Sequence, residues 1–247
     1  RGIAHYISEK DNHATTNQSG KDHFFTKDVM PPYAHSFLLT GLVSPDYVDI
    51  TGDGITDDDL GDAVKFNYTI IYGKGKGYYK WRTPNEAGKA NYNEGLKTYN
   101  RDDKGTYLYG KKEVWYLNSI VSKTMIAVFR ISNKREDDLG ITGENGGVDA
   151  GQRMRRLDGI DLYSKPDLIR NGASARPVKS VHFEYDYSQC RNTVNNSGNP
   201  VDKNGNTVAE ESSSNVNKNK GKLTLRKIWF SYNGNYKGVK NPYTFNY

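Results

Sequence analysis

The chain has 247 residues, enough for one large domain or two small ones with a buried core. Only 35% of the residues are hydrophobic, and no apolar run reaches about 18 to 20 residues, the length of a membrane-spanning helix, so a helical membrane protein is excluded. The formal charge is +6, but seven aspartates crowd between Asp46 and Asp62 with no Lys or Arg among them, so the positive excess falls on the rest of the chain. Nineteen tyrosines and 25 glycines favour strands and turns, because aromatic rings suit a pleated, half-wet surface and glycine punctuates it. The expected class is all-β. Nucleic acid is disfavoured as a partner, since the basic residues come without a basic helix, zinc-finger spacing or an RNA-binding aromatic signature.

In chain order, residues 1–35 read as a polar leader holding His5, His13, His23 and His35. Residues 36–110 read as a β segment organised around the acidic knot. Its centre, Asp49-Ile50-Thr51-Gly52-Asp53-Gly54-Ile55-Thr56-Asp57, has the form D-x-x-G-D-G-x-x-D. Calcium takes six to eight oxygens, and a tight loop with oxygen-bearing side chains at alternate positions supplies them. Asp49, Thr51, Asp53 and Asp57, with the Ile55 carbonyl, are the expected ligands of a Ca2+ ion. The alternative is an acidic turn held by backbone hydrogen bonds. Thr51 and Leu60 break the EF-hand consensus, so no helix-loop-helix hand is expected.

Beyond the loop, Val64-Lys-Phe66-Asn-Tyr68 alternates as a strand with three large side chains on one face. Gly73-Lys-Gly75-Lys-Gly77 lacks phosphate-loop spacing and reads as a basic turn. Tyr78, Tyr79 and Trp81 form the best candidate surface for stacking on a glycan, with core packing as the alternative.

Residues 111–247 carry an internal repeat. Val181-His-Phe183-Glu-Tyr185 and Tyr243-Thr-Phe245-Asn-Tyr247 repeat the apolar-x-Phe-x-Tyr strand of residues 64–68. Leu117-x-x-Ile120, Leu157-x-x-Ile160 and Leu225-x-x-Ile228 form a second series in which apolar parity flips at the same place. One inserted residue, a β-bulge, returns the apolar side chains to one face in each copy. Residues 133–152 read as a polar loop, and residues 191–221, rich in Asn, Ser, Lys and Gly, as a low-complexity insertion. Glu184 and Asp186 share a solvated strand face, and Cys190 stands alone, which excludes a disulfide scaffold. No hydrolase elbow, zincin helix, Walker loop or dinucleotide fingerprint is present, so no enzyme is expected.

The acidic loop, set between strands, resembles the FG-GAP calcium loops of β-propeller blades. The series Trp115-Tyr-Leu117-Asn-Ser-Ile120, Arg156-Leu157-Asp-Gly-Ile160-Asp-Leu162-Tyr163, Val181-His-Phe183-Glu-Tyr185 and Lys222-Leu223-Thr-Leu225-Arg-Lys-Ile228, ending on residues 243–247, resembles tyrosine-aspartate (YD) repeat, Rhs-like shell proteins. In particular it resembles the B component of insecticidal toxin complexes, the virulence-plasmid toxin B family, and large secreted proteins of Bacteroidota look similar. The resemblance implies repeated bulged strands in an antiparallel sheet, part of a larger β-shell or solenoid with long polar loops. It also implies a bacterial secreted or cell-surface location and a non-catalytic scaffold. Its partners would be the remainder of a larger chain or an enclosed, toxin-like polypeptide. A carbohydrate-binding or glycan-degrading β-domain is the alternative. The ends, Arg1 and Tyr247, lead to the expectation that the chain is a segment of a longer polypeptide.

Overall fold

The computed structural model describes residues 3–5, 28–85, 89–92, 105–190 and 221–247. Among these, the chain forms fifteen strands and one α-helix. The frame is one open antiparallel sheet of eight strands. Its members are β2 (Gly41–Val43), β3 (Ala63–Tyr72), β8 (Val114–Val121), β9 (Met125–Ser132), β12 (Arg156–Ser164), β13 (Lys179–Gln189), β14 (Lys222–Tyr232) and β15 (Tyr243–Thr244). They lie side by side in chain order, a meander, and the sheet runs across the expected division at residues 110/111.

The remaining strands are excursions from this frame. β4 (Tyr79–Thr83) pairs with β7 (Leu108–Lys112) between β3 and β8, and β10 (Leu139–Gly143) pairs with β11 (Gly146–Arg153) between β9 and β12. The second hairpin corrects the loop expected over residues 133–152: Gly146 and Gly147 take φ of 82° and 86°, which lets a polar, glycine-rich segment turn back on itself. β1 (Ile3–His5), β5 (Lys89–Tyr92) and β6 (Gly105–Thr106) form a small three-stranded sheet, so the leader contributes a strand. His13, His23 and the 191–220 part of the expected insertion lie outside the described residues.

All three expected bulges are present, each at the residue after the leucine. Tyr68 pairs with Leu117 while Asn67 pairs with Ser119, skipping Asn118. Ile131 pairs with Leu157 and Arg130 with Gly159, skipping Asp158. Tyr185 pairs with Leu225 and Glu184 with Lys227, skipping Arg226. The skipped residue restores the apolar parity, so Phe66 opposes Ile120, Phe129 opposes Ile160 and Phe183 opposes Ile228 on one face.

The register also shows two copies that the sequence pattern hides. Leu39-Thr-Gly-Leu42 lies against Val64–Tyr68 as Leu225-Arg-Lys-Ile228 lies against Tyr243–Tyr247. In each, the phenylalanine N–H donates to the carbonyl of the residue after the leucine (Phe66 to Thr40 and Phe245 to Arg226, both 2.9 Å). Ala127-Val-Phe129-Arg-Ile131 is the other, with isoleucine in place of tyrosine. The sheet is therefore four hairpin units: β2–β3, β8–β9, β12–β13 and β14–β15. Three of the four carry the same clip: the terminal tyrosine hydroxyl donates to the leucine carbonyl of its own unit. These are Tyr68 to Leu39 (2.9 Å), Tyr185 to Leu157 (2.8 Å) and Tyr247 to Leu225 (3.2 Å). At Leu157 and Leu225 the clip falls at the bulge, where the ladder is interrupted.

The best-buried hydrophobic cluster sits where the β4–β7 excursion meets the sheet. Tyr72, Tyr79 and Val114 are its buried centre, with Ile71, Trp81, Tyr116 and Met154 packed around it. Leu139 and Ile141 of β10 are buried as well.

Candidate functional site

The Asp49–Asp57 loop projects between β2 and β3. Gly52 and Gly54 take φ of 74° and 89°, values open to glycine at no steric cost, and their N–H groups donate to the two carboxylate oxygens of Asp49 at 2.7 and 3.0 Å. The Thr51 and Thr56 hydroxyls donate to Asp53 at 2.9 and 3.3 Å. The organising residue is Asp59, which the spacing does not single out. It is buried and accepts from the Tyr47 hydroxyl (2.8 Å), Thr56 N–H (2.7 Å) and Ile50 N–H (3.3 Å). The Thr56 N–H bond is the main cause holding its carboxyl below the usual range, while burial, followed by Asp59 itself, pushes the Tyr47 phenol up to about 12.

Three lysines fasten the loop to the rest of the protein. Lys65 Nζ on β3 donates to the Ile55 carbonyl at 2.9 Å, Lys123 Nζ donates to the Gly61 carbonyl at 3.1 Å, and Lys165 of helix α1 (Lys165–Asn171) pairs with Asp57. They border a cleft of about 40 Å³ with Tyr47, Asp57 and Asp59, room for little more than a water molecule or a single ion. Of the five expected calcium ligands, Ile55 and Asp57 thus face lysine ammoniums and Asp49 faces backbone N–H groups. Among the described residues no three His, Cys, Asp or Glu side chains gather closely enough to hold a metal. The loop is held by hydrogen bonds to Asp49, Asp53 and Asp59 and by the lysine contacts.

The expected glycan-stacking group is corrected in part by burial. Tyr79 is 1% exposed, its hydroxyl donates to Asp138 at 2.8 Å, and its ring lies 5.4 Å from that of Tyr72. Trp81 shares its strand face and packs on the same cluster. Only Tyr78 of the three is exposed.

A second constellation, on the polar face of the sheet, escaped sequence reasoning. Register aligns Arg130, Gly159, His182 and Trp229 across four adjacent strands. Arg130 pairs with Asp161 at 2.9 Å, and its Nη2 lies 3.3 Å from His182 Nδ1. A guanidinium only donates, so Nδ1 accepts and the imidazole proton sits on Nε2, where it donates to Ser231 Oγ at 2.8 Å. The ring stacks on Trp229 at 3.7 Å and 9°, Trp229 Nε1 donates to Glu184 at 3.0 Å, and Tyr236 leans over both rings. This tautomer cannot take a proton from Ser231, which is 3% exposed, so the pair is a structural link and not a nucleophile with its base.

Burial, then Arg130, lowers the His182 pKa, and Asp161 opposes the shift. An imidazolium would turn a second donor towards the guanidinium. The unfolded chain takes up its proton near the ordinary value of 6.5 and the folded chain only at lower pH, so this contribution is full above about 6.5 and falls as pH drops below it. The Tm of the protein should fall between pH 7 and 5, and that component of the slope should vanish in His182→Gln. An unchanged slope would remove His182 from the acid response.

The fold and these sites define an open antiparallel meander of bulged hairpin units with a lysine-fastened acidic loop. No family model matches the chain, and no curated protein or solved structure is detectably similar to it.

Proposed function

We propose that the chain is a non-catalytic scaffold, a sheet-forming segment of a large secreted or cell-surface bacterial β-repeat protein of the YD-repeat, Rhs-like shell kind. The observation that carries this reading is the fourfold hairpin unit. Each unit adds to the next through the same bulged register, the architecture of an array that builds surface area and not a pocket. Its partners are the remainder of a larger chain or a polypeptide that the sheet encloses. Panels of polysaccharides and glycosides test it: the scaffold neither binds nor cleaves them. The second reading, a carbohydrate-binding domain, is favoured by the exposed rings of Tyr78 and Tyr236, the latter beside Trp229. Retention on a glycan that is lost in Tyr78→Ala or Tyr236→Ala with the fold intact would establish it instead.

Calcium at Asp49, Thr51, Asp53, Ile55 and Asp57 is supported by the alternation of oxygen-bearing positions, and the lysine contacts support an ion-independent loop. Thermal unfolding with calcium and with chelator separates the two. The lysine-fastened loop gives a Tm indifferent to either addition and lowered by Lys165→Met, whereas a calcium-dependent rise that Asp49→Ala abolishes would assign the loop to the ion.

A further inference from the structure

We propose that the region where β3 passes into β4 and β7 passes into β8 is a docking surface for an anionic membrane, built from lysines and two exposed aromatic rings. Residues 73–83 and 108–116 carry six basic side chains, Lys74, Lys76, Lys80, Arg82, Lys111 and Lys112, against one acidic side chain, Glu113. The fold brings the two stretches together. Lys80 lies directly opposite Lys111, and Tyr79 opposite Lys112, in the β4–β7 ladder. The Gly73–Gly77 turn closes on a bond of 2.8 Å from the Gly73 N–H to the Gly77 carbonyl. A Cβ on Gly73 would stand 2.6 Å from Glu113 Cγ, so the turn that carries Lys74 and Lys76 abuts the end of β7. Like charges directly opposite on a ladder repel, and an anionic partner relieves that repulsion.

Lys74, Lys76, Lys111 and Lys112 are exposed. Lys76 Nζ donates to the Ile70 carbonyl at 3.0 Å, Lys80 Nζ donates to the Thr142 carbonyl at 3.1 Å, and Lys112 Nζ lies over the Tyr79 ring. None of these three partners is a carboxylate, so the contacts position the side chains without cancelling their charge. Beside them Tyr78 is 45% and Trp115 43% exposed, and Trp115 lies opposite Ile70, whose carbonyl holds Lys76. The Trp115 Nε1 donates to Glu113, so the single carboxylate of the region is turned to the indole. Residues 74–78 are all exposed. Their lysines therefore ride on projecting backbone, a shape that meets a flat surface without needing a matching recess. Tyrosine and tryptophan rings settle at headgroup level, and each lysine close to an anionic leaflet strengthens attachment about fivefold. This inference rests on charge and exposure and stands apart from the scaffold reading.

Co-sedimentation of the full chain with lipid vesicles is the test. Vesicles of mixed phosphatidylglycerol and phosphatidylcholine should retain the chain at about 0.1 M salt and release it at about 1 M, where charges are screened within about 3 Å. Vesicles of phosphatidylcholine alone should not retain it. Lys74→Gln together with Lys111→Gln should weaken attachment roughly 25-fold while keeping the parent circular dichroism. Tyr78→Ala should weaken it without changing its salt dependence. Lys237→Gln together with Lys240→Gln makes the same change in net charge beside β14 and should leave attachment unaltered. Equal weakening by the two lysine pairs would reduce the attachment to general attraction for a basic chain and overturn the inference. So would a chain that phosphatidylglycerol vesicles do not retain, including one held by single-stranded RNA instead, which would make this a nucleic-acid surface.

Discussion

Tyr79→Ala is expected to lower the stability of the protein by about 3 to 5 kcal/mol, the cost of emptying a fully buried aromatic position. Tyr79 is 1% exposed, packs against Tyr72 and Val114, and carries the Lys112 ammonium 5.1 Å from its ring. Its hydroxyl ties β4 to Asp138, which precedes β10, and burial and that carboxylate push the phenol far above its ordinary range. The ring therefore joins both excursions to the sheet while remaining neutral. Tyr79→Phe keeps the packing and loses the hydrogen bond, so it should cost only about 1 to 3 kcal/mol. Equilibrium unfolding in urea measures both. Equal and small losses for the two variants would mean that the excursions are not coupled to the sheet through this residue.

Gly159→Ala is the second large effect. A Cβ at Gly159 would stand 2.1 Å from Arg130 Nη2 and 2.6 Å from the Val181 carbonyl. The guanidinium can swing away, but the carbonyl belongs to the β12–β13 ladder and moves only if the strands part. A loss of about 1 to 3 kcal/mol is expected, as for other overpacked interiors. There is a second readout. With Arg130 displaced, the cation that disfavours His182 protonation is gone, so the imidazole pKa should rise relative to the parent. NMR titration of the ring protons checks this. An unshifted His182 in a destabilised variant would mean that Arg130 does not act on the ring.

The bulges were legible because parity is a local property. A leucine and an isoleucine three apart cannot share a face of a regular strand, so the sequence itself records the inserted residue. The copies at Leu39–Leu42 and Ala127–Ile131 were hidden because leucine and isoleucine stand where the other copies have isoleucine and tyrosine. In the second, the clip that would have marked it has no hydroxyl to form it. The spacing of the acidic loop was legible but its cations were not: Lys165 comes from a helix 108 residues beyond Asp57. The Arg130–His182–Trp229 row was invisible for the same reason, since it exists only once register sets four strands side by side. Tyr79 and Trp81 share one strand face and pack on the same buried cluster. That this face is covered depends on β10, which a polar, glycine-rich sequence disguised as a loop.

Cross-strand NMR contacts between backbone protons test the bulged-unit architecture most directly. The structure predicts contacts joining Tyr68 to Leu117, Ile131 to Leu157 and Tyr185 to Leu225, followed by Asn67 to Ser119, Arg130 to Gly159 and Glu184 to Lys227, with Asn118, Asp158 and Arg226 each passed over. Unbroken ladders in which those three residues pair in turn would contradict it.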